Sequence, residues 1–185
     1  HQALEDISLM RGLPNMTVLV PGDYNQTRQA VRYAAKHNGP VYIRLSRMNV
    51  PEIFDENYEL DINKAVTLKE GKDVSVFVTG DLLAEVMKAN EILQSKGIDA
   101  EIINIPVIKP LDTKTIVESV NKTGLAVTVE NHSILGGLGS AVCETLSENA
   151  PHKVLRIGIN DTFGQSGTPN ELLKHYGLDA ESIAN

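Results

Sequence analysis

Arg44 and Arg47 stand where a short apolar run, Val41-Tyr42-Ile43, gives way to Leu45-Ser46-Arg47-Met48-Asn49. A strand that ends this way presents a guanidinium at the carboxyl edge of a sheet, where open α/β proteins bind ligands. The planar fork of arginine takes two oxygens of a phosphate or carboxylate at once. The same two residues would also serve as ordinary surface arginines at a strand end, and position alone does not raise them above that.

Four other groups could do chemistry. His1 precedes a helix and carries the side chain that exchanges a proton near neutrality, although a lone terminal histidine is commonly inert. Glu130 and His132 lie two apart on one strand and share a face, but no third ligand accompanies them, so no metal site is expected. Gly136-Gly137-Leu138-Gly139 opens a helix, as phosphate-cradling loops do. Neither the G-x-G-x-x-G fingerprint nor the P-loop ending is present, so glycines that let a helix pack close to a strand are the plainer account. The polar loop Asn160 to Thr168 could hold a ligand or a neighbouring subunit, and Thr168-Pro169 reads equally as a helix start.

These residues need elements to position them. Ala3 to Arg11 sets Leu4, Ile7 and Met10 on one helical face. A strand from Met16 to Val20 follows, then a helix from about Gln26 to His37 with Ala30, Val31, Ala34 and Ala35 inward, then the strand Val41 to Leu45. Asn49 to Asn63 loses periodicity, and residues 51–64 read as an interdomain linker. Beyond it a hairpin is expected, Ala65 to Leu68 with Val74 to Thr79. Strands and helices then alternate: helix Asp81 to Lys96, strand Ala100 to Ile105, helix Thr113 to Lys122, strand Leu125 to Glu130, helix Leu138 to Asn149, strand Val154 to Ile159 and helix Pro169 to Tyr176. That order predicts an α/β fold, a three-layer α/β/α domain over residues 65–185 with a mostly parallel sheet. Residues 1–50, with about two strands and two helices, are small for a domain with its own core and read as part of one.

Composition narrows the classes. The 185 residues are 42% hydrophobic and 22% charged, with a formal net charge of -7. The charges are interspersed, so neither nucleic acid nor a membrane surface is an expected partner. Cys143 is the single cysteine, which excludes an intrachain disulfide and fits a reducing cytoplasm; among Ala141, Val142 and Leu146 it reads as a buried structural thiol.

The motifs as a set resemble a known family. His1-Gln2-Ala3-Leu4-Glu5-Asp6, Val20-Pro21-Gly22-Asp23, Gly39-Pro40 and Leu45-Ser46-Arg47-Met48-Asn49 resemble the second half of a transketolase pyrimidine-binding domain. Val127 to His132, Gly136 to Gly139 and Gly158 to Gly164 resemble the carboxy-terminal domain of the same superfamily. Ser46-Arg47-Met48-Asn49 is similar to the transketolase Ser-Arg-Gln-Asn element, with Met48 in place of the glutamine, and the two-chain bacterial transketolases match best.

The resemblance implies a fold, a partial α/β pyrimidine-binding domain followed by the transketolase C-terminal domain. It implies a reaction, transfer of a two-carbon ketol unit between sugar phosphates on thiamine diphosphate held with Mg2+. It gives His1 a catalytic and cofactor-binding role and Arg47 the grip on the sugar phosphate, while Gly136 to Gly139 stays structural. The glutamate that activates the cofactor and the Gly-Asp-Gly magnesium segment of the family do not occur among these residues. The expectation is therefore a fragment, inactive alone and with no cofactor bound, that pairs with an N-terminal transketolase domain or subunit and forms a homodimer. Two alternatives stay open: a non-catalytic dimerisation module, and part of a 1-deoxy-D-xylulose 5-phosphate synthase.

Overall fold

A computed structural model describes residues 3–185. The chain starts with α1 (Asp6–Gly12), β1 (Thr17–Leu19), α2 (Tyr24–Lys36) and β2 (Val41–Ile43). It continues through β3 (Val66–Lys69), β4 (Val74–Val78), a single 3-10 turn and α3 (Leu83–Ser95). β5 (Ala100–Asn104), β6 (Val107–Lys109), α4 (Thr113–Thr123), β7 (Leu125–Ser133), α5 (Leu138–Asn149), β8 (Lys153–Ile159), α6 (Pro169–His175) and α7 (Ala180–Ile183) complete it.

The main sheet has five strands in the order β3-β5-β4-β7-β8. β4, β5, β7 and β8 run parallel and β3 runs antiparallel to β5, so the expected mostly parallel sheet is present. The period of two in β4 sorts its side chains: Phe77 enters one core with Ile116 of α4 and Val142 of α5, while Val74, Val76 and Val78 enter another with Val86 of α3. Helices therefore cover both faces, giving the three-layer α/β/α arrangement.

Four local expectations need correction. The hairpin of β3 with β4 does not form, because β3 pairs with β5, Val66 opposite Asn104. The connecting residues 70–73 cross the start of β5 instead: Lys72 and Asp73 both donate N–H to the Asp99 carbonyl at 3.0 Å, and a Cβ on Gly71 would overlap the Ala100–Glu101 backbone. β6 is a further short strand, between Pro106 and Pro110, that no sequence period announces. On α2, Ala30 is buried but Val31 is 50% exposed, so the inward stripe is narrower than expected. Cys143 is half-buried rather than fully buried, and burial raises its thiol pKa, which keeps it a poor nucleophile.

β6 also ties the first residues to the rest. The second sheet, β2-β1-β6, joins β1 in parallel to β2 and antiparallel to β6, which is contributed from beyond residue 100. Ile7, Val18 and Val20 pack into the same core as Phe77 and Leu138. Residues 51–64 contain neither helix nor strand, yet they are pinned: both oxygens of the buried Asp23 are used, one by the Gln26 N–H that starts α2 and the other by the N–H groups of Ile53 and Phe54. Among the described residues no helix is long and apolar enough to cross a membrane.

Candidate functional site

β2 stops at Ile43, but Arg44 extends its path by donating N–H to the Leu19 carbonyl at 2.8 Å. Strand alternation puts Tyr42 and Arg44 on one face, and both turn onto Asp6 in the first turn of α1. The Arg44 Nε donates to Asp6 Oδ2 at 3.1 Å, its terminal nitrogen donates to the Ala3 carbonyl at 3.3 Å, and the Tyr42 hydroxyl donates to Asp6 Oδ2 at 2.7 Å. Burial and then the hydrogen bond to Asp6 push the Tyr42 pKa up to about 12, because both disfavour the phenolate.

Arg47 lies past the strand and behaves differently. Ser46 Oγ accepts the Met48 N–H at 3.0 Å and turns the chain, and Arg47 at the middle of that turn is exposed. Among the described residues it makes no hydrogen bond or ion pair. It lines a cleft of about 1060 Å³ whose walls are residues 42–48 on one side and the loop Phe163–Gly167 with α6 on the other. The 41–49 motif and the 160–169 loop, far apart in sequence, thus face each other. The charge of Arg44 is compensated by Asp6, which lines the same cleft, so the uncommitted guanidinium of Arg47 is what suits this wall to a phosphate or carboxylate.

The Glu130–His132 pair sits behind the cleft and is fully buried. Both Glu130 oxygens accept backbone N–H groups at the start of α5, from Leu138 at 2.7 Å and Gly139 at 2.8 Å. Burial outweighs these bonds and raises the Glu130 pKa to about 7. His132 Nδ1 lies 2.6 Å from the Ser133 carbonyl, which can only accept, and its Nε2 accepts the Ser8 N–H at 3.4 Å. Those roles describe a neutral ring, and burial lowers its pKa accordingly.

The glycines make this packing possible. A Cβ on Gly137 would run into the Glu130 carboxylate, and one on Gly139 would stand 2.9 Å from Thr128 Oγ1. They serve close helix–strand approach, and the helix amino terminus they open is already taken by Glu130.

Of the residues singled out from sequence, Arg47 is in the cleft, whereas Arg44 is a half-buried structural ion pair rather than a surface arginine. His1 lies outside the described residues, while Ala3 and Leu4 after it line the cleft. Among the described residues no three His, Cys, Asp or Glu side chains stand together for a metal. Thr168 starts α6 by donating both its N–H and its hydroxyl to Glu171 Oε2, at 2.9 and 2.7 Å, which holds the helix start. Sequence reasoning missed Asp6, Asp81 and Asn131; the alternation of Tyr42 with Arg44 was the one legible signal that something on α1 must pair with them.

The fold and cleft define a class, an α/β protein with an anion-suited cleft at a carboxyl sheet edge. The chain belongs to the transketolase family: it matches the transketolase C-terminal domain over residues 63–183 and the transketolase pyrimidine-binding domain over residues 1–52. It is 46% identical to a putative transketolase C-terminal section of Methanocaldococcus jannaschii, over all of this chain and 58% of that protein. It is 44% identical to a 6-deoxy-6-sulfo-D-fructose transketolase subunit of a Clostridium species, over 99% of this chain and 57% of that one. A split-gene transketolase solved as an inactive β4 tetramer superposes with a TM-score of 0.95 at 47% identity, covering 98% of this chain and 60% of the other. The chain thus spans little more than half the length of these relatives, and it corresponds to the C-terminal portion of a transketolase.

Proposed function

We propose that these residues form the substrate-phosphate side of a ketol-transferring enzyme acting on sugar phosphates. The observation that carries this reading is Arg47: an exposed guanidinium, uncommitted among the described residues, on the wall of a 1060 Å³ cleft at the carboxyl edge of β2. Its fork would hold the phosphate at a fixed distance from the reacting carbons and so keep them in register. Arg44, its charge compensated by Asp6, fixes the shape of the same wall and leaves Arg47 as its free cation among the described residues.

Thiamine diphosphate, when bound in the complete enzyme, supplies the electron sink for carbon–carbon cleavage. The described residues fit the phosphorylated substrate. Mg2+ would need oxygen ligands such as carboxylates, which no cluster among the described residues offers, and an N-terminal domain or subunit is proposed to bring the site for Mg2+ and the cofactor's diphosphate. His1 is proposed to hydrogen-bond cofactor and donor as charge develops. We also propose the division into residues 1–50, 51–64 and 65–185, a homodimeric assembly in the cytoplasm, and no turnover from this portion alone, as for the β4 tetramer of its relative.

Steady-state kinetics of Arg47→Ala in the complete enzyme test the reading. KM for a sugar-phosphate donor should rise by about tenfold or more, with smaller change in kcat and unchanged assembly. An unchanged KM would remove Arg47 from the site.

A further inference from the structure

The order β3-β5-β4-β7-β8 contains a reversal. From β4 the chain moves to β5 on one side, and then returns past β4 to lay β7 and β8 on the other. In an open parallel sheet, the crevice outside the carboxyl ends of the two strands flanking such a reversal is where ligands sit. Here those strands are β4 and β7. Asp81 follows the end of β4, and Asn131 lies just beyond Val129, the β7 residue opposite Val78 at the end of β4.

Both side chains line the cleft described above, and they meet there: the Asn131 amide donates to Asp81 Oδ2 at 3.1 Å. Asp81 is only 5% exposed, and its other oxygen, Oδ1, has no partner. Among the described residues four buried side-chain atoms lack a partner, on Arg28, Asp81, Asn90 and Thr128, and Asp81 is the one of these that lines the cleft. A buried acceptor left unpaired is unfavourable, so Oδ1 stands open to a donor that enters the cleft.

We propose that the crevice between β4 and β7 is a subsite for the hydroxyl groups of a small polyhydroxylated molecule, with Asp81 Oδ1 and the Asn131 carbonyl as acceptors. Charge decides the ligand chemistry. Asp81 repels an anionic group, and Asn131 spends one of its two amide N–H donors on Asp81, so the pair offers chiefly acceptors, which suit neutral donors such as hydroxyls. The opposite wall carries Arg44 and Arg47, and between them Ser46, Gln165 and Ser166 line the cleft with further polar groups. A chain of hydroxyls reaching Asp81 from a phosphate at Arg47 would satisfy both ends. This deepens the sugar-phosphate reading, although the hydroxyl subsite itself does not depend on the phosphate.

Saturation-transfer NMR and calorimetry on the complete protein separate the two. Xylitol, with no phosphate, and D-ribose 5-phosphate are the probes. Asp81→Asn, nearly isosteric, should weaken xylitol by about tenfold, the worth of one hydrogen bond to a charged acceptor, and weaken ribose 5-phosphate as well. Arg47→Ala should weaken ribose 5-phosphate alone. No xylitol binding by the parent protein, or unchanged xylitol affinity in folded Asp81→Asn, would overturn the subsite. Unchanged ribose 5-phosphate affinity in Arg47→Ala would overturn only the phosphate reading. Should Asp81→Asn fail to fold, crystals of the parent protein soaked in xylitol decide: a hydroxyl within hydrogen-bond reach of Asp81 supports the subsite, and its absence there refutes it.

Discussion

Asp6 Oδ2 receives two donors from one strand face, the Tyr42 hydroxyl at 2.7 Å and the Arg44 Nε at 3.1 Å. Two residues, Tyr42 of β2 and Arg44 of its extension, are thereby locked to the first turn of α1. The carboxylate compensates a half-buried guanidinium, so removing its charge should leave Arg44 poorly paired. Asp6→Asn is expected to lose about 2 kcal/mol in urea denaturation.

The same contact has a spectroscopic signature. Burial comes first in raising the Tyr42 pKa to about 12, and Asp6 second. Asp6→Asn removes the carboxylate, and with it the causes due to Asp6, but leaves burial, so the phenol should titrate at lower pH but still above its ordinary 10.0. Ultraviolet titration should show one late-ionising tyrosine moving earlier, and no movement would mean that Asp6 does not hold the hydroxyl.

Gly137 and Gly12 make a matched pair of tests. A Cβ on Gly137 would meet the Glu130 carboxylate and stand 2.7 Å from His132 Nδ1, both immobile in a packed interior. Gly137→Ala should destabilise by about 3 kcal/mol or prevent folding. Gly12 ends α1, and a Cβ there would meet nothing within 4 Å. Gly12→Ala should leave stability unchanged or raise it by about 0.5 kcal/mol, by restricting the unfolded chain.

The pH dependence of stability should have two limbs of opposite sign. Glu130 is raised from its ordinary 4.5 to about 7. The folded protein therefore keeps a proton that the unfolded chain releases, and the stability this gives is full below about pH 4.5 and lost as pH rises through about 7, up to about 3 kcal/mol. His132 is lowered from 6.5 by burial, so its contribution is present above that value and lost on acidification through the depressed folded value. Urea midpoints across the range should show Glu130→Gln flattening the alkaline limb and His132→Gln flattening the acid one. A full alkaline limb in Glu130→Gln would assign it to another group.

The alternation of strands and helices was legible because each central strand is a short apolar run closed by glycine or a cap, such as Asp112 before α4 and Gly124 after it. Pairing was not. β3 and β4 are adjacent in sequence and look like a hairpin, but the Asp99 carbonyl captures the Lys72 and Asp73 N–H groups, a contact no local pattern encodes. β6 was hidden because three residues between prolines carry no period. The cleft was half legible: Arg47 stood out by type and position, whereas Asp81 and Asn131 meet across β4 and β7 and acquire meaning only through strand order. Val31 misled because α2 buries a single narrow row, leaving its neighbour in solvent.

Asp23 gives a final test, of how residues 51–64 are held. Its Oδ1 accepts the Gln26 N–H at 2.8 Å, and its Oδ2 accepts those of Ile53 at 2.9 Å and Phe54 at 2.8 Å. Asn25 reinforces the clamp by donating to the Phe54 carbonyl at 2.9 Å. Asp23→Ala removes a helix cap and leaves three N–H groups short of an acceptor, so a loss of about 3 kcal/mol is expected. Asp23→Asn keeps one acceptor oxygen and should lose less. Because the segment has no ladder or helix of its own, the loss should be local before it is global: limited proteolysis should cut Asp23→Ala between residues 49 and 63 under conditions that leave the parent chain intact. Equal resistance in both proteins would mean that packing of Ile53 and Phe54, rather than the carboxylate, holds the segment in place.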